Sequence, residues 1–254
     1  MGAFEKYSEL YDLLYSDKDY SKEVAYIVKK LEQFGCISKN ILEYGSGTGI
    51  HGSLLVEKGY ELTGVELSEK MFSIGKAHIK ERKIEDRFNL VNDNIVTYRD
   101  EKKYGLVISL FHVVSYLTSN EDLFKVFENA SFQLEQNGLF IFDVWYTPAV
   151  LHLKPQQKIK TFEDDNLKIF RFTEPNIRYN ENIVDVNFKL VVIDKHTNAT
   201  SLIEEMHAMR YLSFPEIKFL AELNSFEIVK AEEFLSEKEP TENTWGVCFI
   251  LRKN

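Results

Sequence analysis

From Tyr20 to Leu31 the apolar residues recur at helical spacing, with Tyr20, Val24, Ile27, Val28 and Leu31 on one face. Asp19 precedes them as a cap and Gly35 follows as a stop. Asn40 to Tyr44 then reads as a short buried strand, and the alternation continues. A helix over 52–58 stops at Gly59, a strand covers 60–65, a helix capped by Ser68 runs to Lys80, and a strand covers 88–91. Tyr104 to Leu110 is almost continuously apolar, the pattern of a parallel strand covered on both faces. Residues 120–135 return to the helical period, which predicts that Leu123, Phe124, Val126, Phe127, Ala130 and Leu134 face inward. Asn137-Gly138 predicts a turn into a fifth strand over 139–144.

Beyond Trp145 the period changes. Residues 158–211 read as strands with no helix between them, over 168–172, 183–193 and 201–212. Val186, Phe188, Leu190 and Val192 alternate with Asn187, Lys189 and Val191, as in an antiparallel strand covered on one face. Phe214-Pro215-Glu216 opens a helix with proline in its first turn, and two strands follow over 226–231 and 245–252. Glu232 to Thr244 between them reads as a solvated acidic loop. The pattern predicts one α/β domain over 1–254: a Rossmann-like, doubly wound, mostly parallel sheet carrying an antiparallel β-rich insertion after strand five. Its parts are a helical segment at 1–34, a core at 35–150 and 212–254, and an insertion at 151–211.

Composition narrows the class. A net charge of −9 over 254 residues argues against a nucleic-acid partner, because phosphate contacts need a basic face. The N-terminus has no apolar signal core, Lys6 breaks the myristoylation pattern, and no apolar run is long enough to span a bilayer. Cys36 and Cys248 lie far apart without metal or redox spacing, so reduced cysteines, no metal and a cytoplasmic protein are expected.

The chemistry concentrates in Ile41-Leu42-Glu43-Tyr44-Gly45-Ser46-Gly47-Thr48-Gly49. Alternate glycines at a strand end allow a sharp turn and leave the backbone bare for a ligand, facing the N–H groups of the following helix. Gly47-Thr48-Gly49-Ile50-His51-Gly52 also satisfies the dinucleotide pattern G-x-G-x-x-G, which keeps an NAD-dependent oxidoreductase open. Glu43, with no Lys or Arg before Lys58, suits a cationic ligand better than a pyrophosphate. S-adenosylmethionine carries an amino group and a sulfonium, and is favoured over NAD.

These residues resemble the first motif of class I S-adenosylmethionine-dependent methyltransferases. Leu62-Thr63-Gly64-Val65-Glu66-Leu67-Ser68 is similar to the second motif and Val91-Asn92-Asp93-Asn94-Ile95 to the third. The resemblance implies that Gly45, Gly47 and Gly49 admit the methionine part and that Glu43 anchors its amino group. It implies Glu66 on the ribose hydroxyls, Asp93 and Asn94 on the adenine edge, and Leu67, Met71, Ile95 and Leu110 along the cofactor. The alternatives are a solvated strand-end acid for Glu66, a turn or N-cap for Asp93 and a core-facing helix position for Met71. Tyr7, Tyr11 and Tyr15 are candidate cofactor-covering residues; amphipathic packing explains them as well.

For transfer, His112 is the candidate general base just past strand four, and Tyr116 a candidate to orient the acceptor. Trp145, Tyr146, His207 and Arg210 are candidate acceptor-binding residues; a plain core position is the alternative for Trp145 and Tyr146, and a solvated strand face for His207 and Arg210. The Tyr-rich N-terminal segment, the phrase Phe111-His112-Val113-Val114-Ser115-Tyr116 and the β-insertion together resemble bacterial nucleotide-sugar N-methyltransferases; that phrase with Phe142-Asp143-Val144-Trp145-Tyr146 also resembles methyltransferases found with surface-polysaccharide enzymes. Those N-methyltransferases carry a histidine where this chain has Tyr116, and Val144-Trp145-Tyr146 departs from their phrase after strand five. These departures leave the methyl donor intact and count against an aminosugar acceptor as such, while the second resemblance keeps a sugar or other small metabolite, methylated on nitrogen or oxygen, as the expected acceptor. A non-catalytic cofactor-binding module is a further alternative, and the half-apolar insertion could support a homodimer.

Overall fold

The computed structural model describes residues 10–254. Five strands, β1 (Asn40–Tyr44), β2 (Glu61–Glu66), β3 (Phe88–Asn92), β4 (Tyr104–Ser109) and β5 (Leu134–Tyr146), pair in the order β3-β2-β1-β4-β5. Every pairing among them is parallel. The last strand, β11 (Gly246–Lys253), runs antiparallel on β5, and β10 (Phe226–Glu233) antiparallel on β11. This is the seven-stranded Rossmann-like sheet that the alternation predicts.

Helices α2 (Tyr20–Gln33), α3 (Ile50–Glu57) and α4 (Glu69–Glu81) bury Val24, Ile27, Leu55 and Ile79 against one face of the sheet. On the other face α5 (Asn120–Gln133) and α7 (Phe214–Leu223) bury Val126, Phe127 and Ile217. Side-chain caps fix the starts. Asp19 accepts from Lys22 N–H, Ser68 from Met71 N–H, Ser119 from Asp122 N–H, and Ser213 forms a capping box with Glu216.

Three expectations need correction. Phe124 is 38% exposed, because the inward face of α5 is narrow and this ring falls beside a shallow groove shared with Phe219 and Leu223 of α7. Asn137-Gly138 does not end one element and start another. β5 already begins at Leu134, and the left-handed Asn137 sits in a register shift where Tyr104 faces Leu134 but Leu106 faces Leu139. The stretch from Glu232 to Thr244 is not wholly a solvated loop either, since its first two residues belong to β10. Glu232 is buried, paired with Lys30 of α2 and accepting from Tyr26 Oη at 2.7 Å.

After β5 the chain makes a short helix, α6 (Thr147–Leu153), then the meander β6 (Lys158–Glu163), β7 (Leu167–Arg178), β8 (Ile183–Asp194) and β9 (Thr200–Leu212). Val186, Leu190 and Val192 are buried while Lys189 is exposed, as the alternation predicts. β9 ends parallel to β5 through Trp145–Tyr211 and Tyr146–Leu212, so the meander stands over the carboxyl end of β5. The short helix α1 (Tyr11–Leu14) seats Leu14 against Ile169, Leu190 and Val192 of the meander. Among the described residues no helix is long and apolar enough to cross a membrane.

Candidate active site

A cleft of about 1070 Å³ opens over the carboxyl ends of β1, β2, β4 and β5, where ligands lie in open α/β sheets. That exceeds the usual volume of a single small-molecule site, so two ligands can share it. One half is walled by the glycine loop, the end of β2, the start of α4 and the turn after β3. The other half is walled by the turn after β4, Trp145 and the inner face of the meander.

In the first half, Gly45 and Gly47 line the cleft at φ of +72° and +56°. A Cβ on Gly45 would meet Val113 Cγ2 at 2.5 Å, so that position tolerates no side chain. The Glu66 carboxylate faces the same space. Its Oε2 accepts from Gly47 N–H at 2.8 Å and its Oε1 from Ser68 N–H at 2.7 Å. Burial raises its pKa, against the opposing pull of the Ser68 and Gly47 N–H groups. Each oxygen keeps a lone pair for a further donor. Leu67, Met71, Asn94, Ile95, Leu110, Tyr11 and Tyr15 also line the cleft. A bare loop, a carboxylate with spare acceptor capacity and an apolar sleeve fit S-adenosylmethionine.

Three expected cofactor residues sit elsewhere. Glu43 is 1% exposed and lies behind the loop, outside the cleft lining. Its Oε2 accepts from Ser46 Oγ at 2.7 Å, and Oε1 is 3.8 Å from His51 Nδ1. Burial pushes its carboxyl up to about 8, the Ser46 hydrogen bond pulling the other way. Asp93 is exposed and caps its own turn, accepting from Asn94 N–H at 2.6 Å. Gly49 starts α3 against Phe88. Tyr7 lies outside the described residues. Although no basic residue is near Glu43 in sequence, the fold brings Lys18 in, with Nζ 3.5 Å from His51 Nε2.

The second half carries two pairs of titratable side chains. His112 follows β4 in a left-handed turn, with its Nδ1 2.7 Å from Asp143 Oδ2 on β5. Its backbone N–H reaches both oxygens of the same carboxylate at 3.2 Å. Burial alone would raise the Asp143 pKa, but the charge and hydrogen bonds of His112, with a smaller effect of Lys18, hold it below the ordinary aspartate value. Across the cleft, Tyr116 Oη lies 2.7 Å from His207 Nδ1, and His207 Nε2 is 3.4 Å from Glu205 Oε1. Trp145, Val186, Phe188 and Met209 complete the wall.

Two expected acceptor residues are not in that wall. Tyr146 packs against the hydrophobic core instead. Arg210 reaches Thr118 O and Glu216 beside the shallow groove on α5 and α7, because alternate β9 residues face opposite sides. Sequence reading also passed over Asp143, Phe188 and Glu205. Asp143 was visible only as an acid within an apolar strand, a pattern that marks a buried carboxylate needing a partner.

Residues 41–138 match the family described as "Methyltransferase domain". A chain of Geobacillus sp. (strain WCH70), named only as a methyltransferase, is 23% identical over 256 residues, covering 99% of this chain and 100% of that one. The dTDP-3-amino-3,4,6-trideoxy-alpha-D-glucopyranose N,N-dimethyltransferase of Streptomyces venezuelae is 25% identical over 144 residues, covering 56% of this chain and 58% of that one. Among solved structures, an S-adenosylmethionine-dependent methyltransferase from Clostridium acetobutylicum ATCC 824 superposes with a TM-score of 0.83 at 20% identity, covering 99% of both chains.

Proposed function

We propose that this chain, a class I S-adenosylmethionine-dependent methyltransferase, methylates a small sugar-type acceptor, with an aminosugar or sugar nucleotide the class best supported. The observation that carries the mechanism is the His112–Asp143 pair on the acceptor side of the cleft. S-adenosylmethionine as donor sets aside the nicotinamide alternative.

When bound, the cofactor supplies a methyl group already activated for displacement by its sulfonium. The chain's own residues must hold both ligands in line, exclude water and take one proton from the acceptor. Gly45 and Gly47 would admit the methionine part, Glu66 would accept from the ribose hydroxyls, and Met71, Ile95 and Leu110 would enclose the adenine with Leu67 and Asn94 at its edge. Glu43 would act on the donor's charge through the loop it supports.

With Nδ1 turned to Asp143, His112 would offer Nε2 as the proton acceptor. Asp143 fixes the ring and stabilises the imidazolium that results. Tyr116, held by His207, would orient the acceptor. Among the described residues, the acceptor-side wall carries no Lys or Arg, which favours an uncharged or amine-bearing reacting end over an anionic one. The aminosugar dimethyltransferase among the relatives supports the same class.

The test is a panel of aminosugars, their nucleotide-linked forms and hydroxyl-only counterparts, each incubated with S-adenosylmethionine. The expected outcome is S-adenosylhomocysteine together with an acceptor heavier by one methyl group, preferentially on an amine-bearing sugar. Turnover on an anionic carboxylate acceptor, with every sugar inert, contradicts the reading.

A further inference from the structure

Between α1 and α2 the chain turns one lysine inward. The Lys18 side chain is only 10% exposed. Its ammonium pairs with Glu23 of α2 and lies 3.5 Å from His51 Nε2 of α3. It also sits 4.2 Å from the Tyr20 ring centroid and 4.4 Å from that of Phe111. Tyr15 meets the same Phe111 ring edge-on at 5.0 Å. A buried ammonium is costly unless it is paired, and an apolar side chain could fill this space without that cost. The charge therefore calls for an explanation beyond packing.

Phe111 supplies one. It and His112 are consecutive non-glycine residues at φ of +65° and +61°, a conformation unfavourable for any side chain with a Cβ. Such a turn persists only where its surroundings hold it. Asp143 grips it from β5 through the His112 backbone N–H and ring. Lys18 grips it from the other side through the face of Phe111. The carboxylates of Asp143 and Glu43 also feel the Lys18 charge.

We infer that Lys18 is a positioning residue for methyl transfer: its ammonium, anchored by Glu23, holds the Phe111 ring by a cation–π contact and so fixes the left-handed turn that aims His112 into the cleft. This rests on the reading of His112 as the proton acceptor. It also ties the segment between α1 and α2 to the acceptor side of the cleft through the Phe111 ring.

Lys18→Met removes the charge and keeps an apolar stem, and Lys18→Arg keeps the charge. The double variant Lys18→Met/Glu23→Gln removes both charges, so that Glu23, which also meets His51 Nε2 at 2.6 Å, is not left as a carboxylate without its ammonium if the single variant misfolds. Three quantities are read: donor affinity by calorimetry, kcat at saturating donor, and the His112 resonances in histidine-labelled protein, assigned with His112→Asn. The double variant is expected to fold and to bind donor within about threefold of wild type, while kcat falls roughly 10- to 100-fold. The His112 resonances are expected to move, and Lys18→Arg to restore most of the rate. A folded double variant with wild-type kcat and unmoved His112 resonances overturns the inference. A loss explained wholly by weaker donor binding overturns it too. If His112→Asn itself turns over normally, the base reading fails, whereas the resonances of the Lys18 variants still decide whether Lys18 positions the ring.

Discussion

Glu43 shows how far a residue's role depends on depth. The sequence placed an acid beside the glycine loop, and the fold puts it there, but behind the loop. Its ordinary value of 4.5 rises to about 8 through burial. Between those values the folded protein holds a proton that the unfolded chain has released, so this group's contribution to stability is lost as pH rises through the window. Glu43→Gln, which cannot ionise, is expected to flatten the fall in Tm between pH 5 and pH 8 (roughly the interval set by the two values); an unchanged slope contradicts that. A cationic donor should draw the proton off. Calorimetric titration of wild type with S-adenosylmethionine near neutral pH is then expected to give heats that change with the buffer's ionisation enthalpy, an effect absent in Glu43→Gln. Gly246 makes a second prediction at this scale. A Cβ there would lie 3.3 Å from His112 Cε1, tighter than ordinary contact. Gly246→Ala is expected to slow turnover several-fold with donor affinity intact, measured by steady-state kinetics; a loss confined to donor binding would contradict this.

The elements were the most legible part. Strand β1 matches its predicted span, and Asp19 and Ser68 cap where the sequence said, because caps and apolar period are local properties. What stayed hidden was pairing between elements. Asp143 is 31 residues from His112, and Lys30 is 207 from Glu237, so no local pattern could couple them. Lys30 pairs with Glu232 and Glu237, and Tyr26 donates to Glu232, which pins α2 to β10 and the segment after it. Burial opposes the charge on Lys30, but the two carboxylates outweigh it and raise its pKa. Lys30→Met leaves Glu232 buried without its cation, a loss of about 3–5 kcal/mol. That corresponds to a Tm lower by roughly 6–20 °C for a chain of this size. Lys30→Met/Glu232→Gln should recover much of it in thermal unfolding; equal destabilisation of both variants would contradict the pairing account.

At the scale of the molecule, the cleft exists because the meander returns to β5. Two residue pairs bring β9 onto the end of that strand, and the inner face of the meander then looks across at His112. Three strand-end motifs pointed to residues that do line one half of the cleft, although Asp93 and Glu43 stand outside its wall. The acceptor half was readable only as a list of candidates, since face and depth on a long antiparallel strand depend on register. His207 and Arg210 illustrate this: three positions apart on one strand, they point to opposite sides of it.

The most direct test is the single-turnover rate of methyl transfer at saturating S-adenosylmethionine, on the acceptor that the sugar panel identifies, for wild type and His112→Asn. The account predicts a rate lower by about 10²- to 10⁴-fold in the variant, with donor affinity unchanged. A variant that transfers the methyl group at the wild-type rate would contradict it.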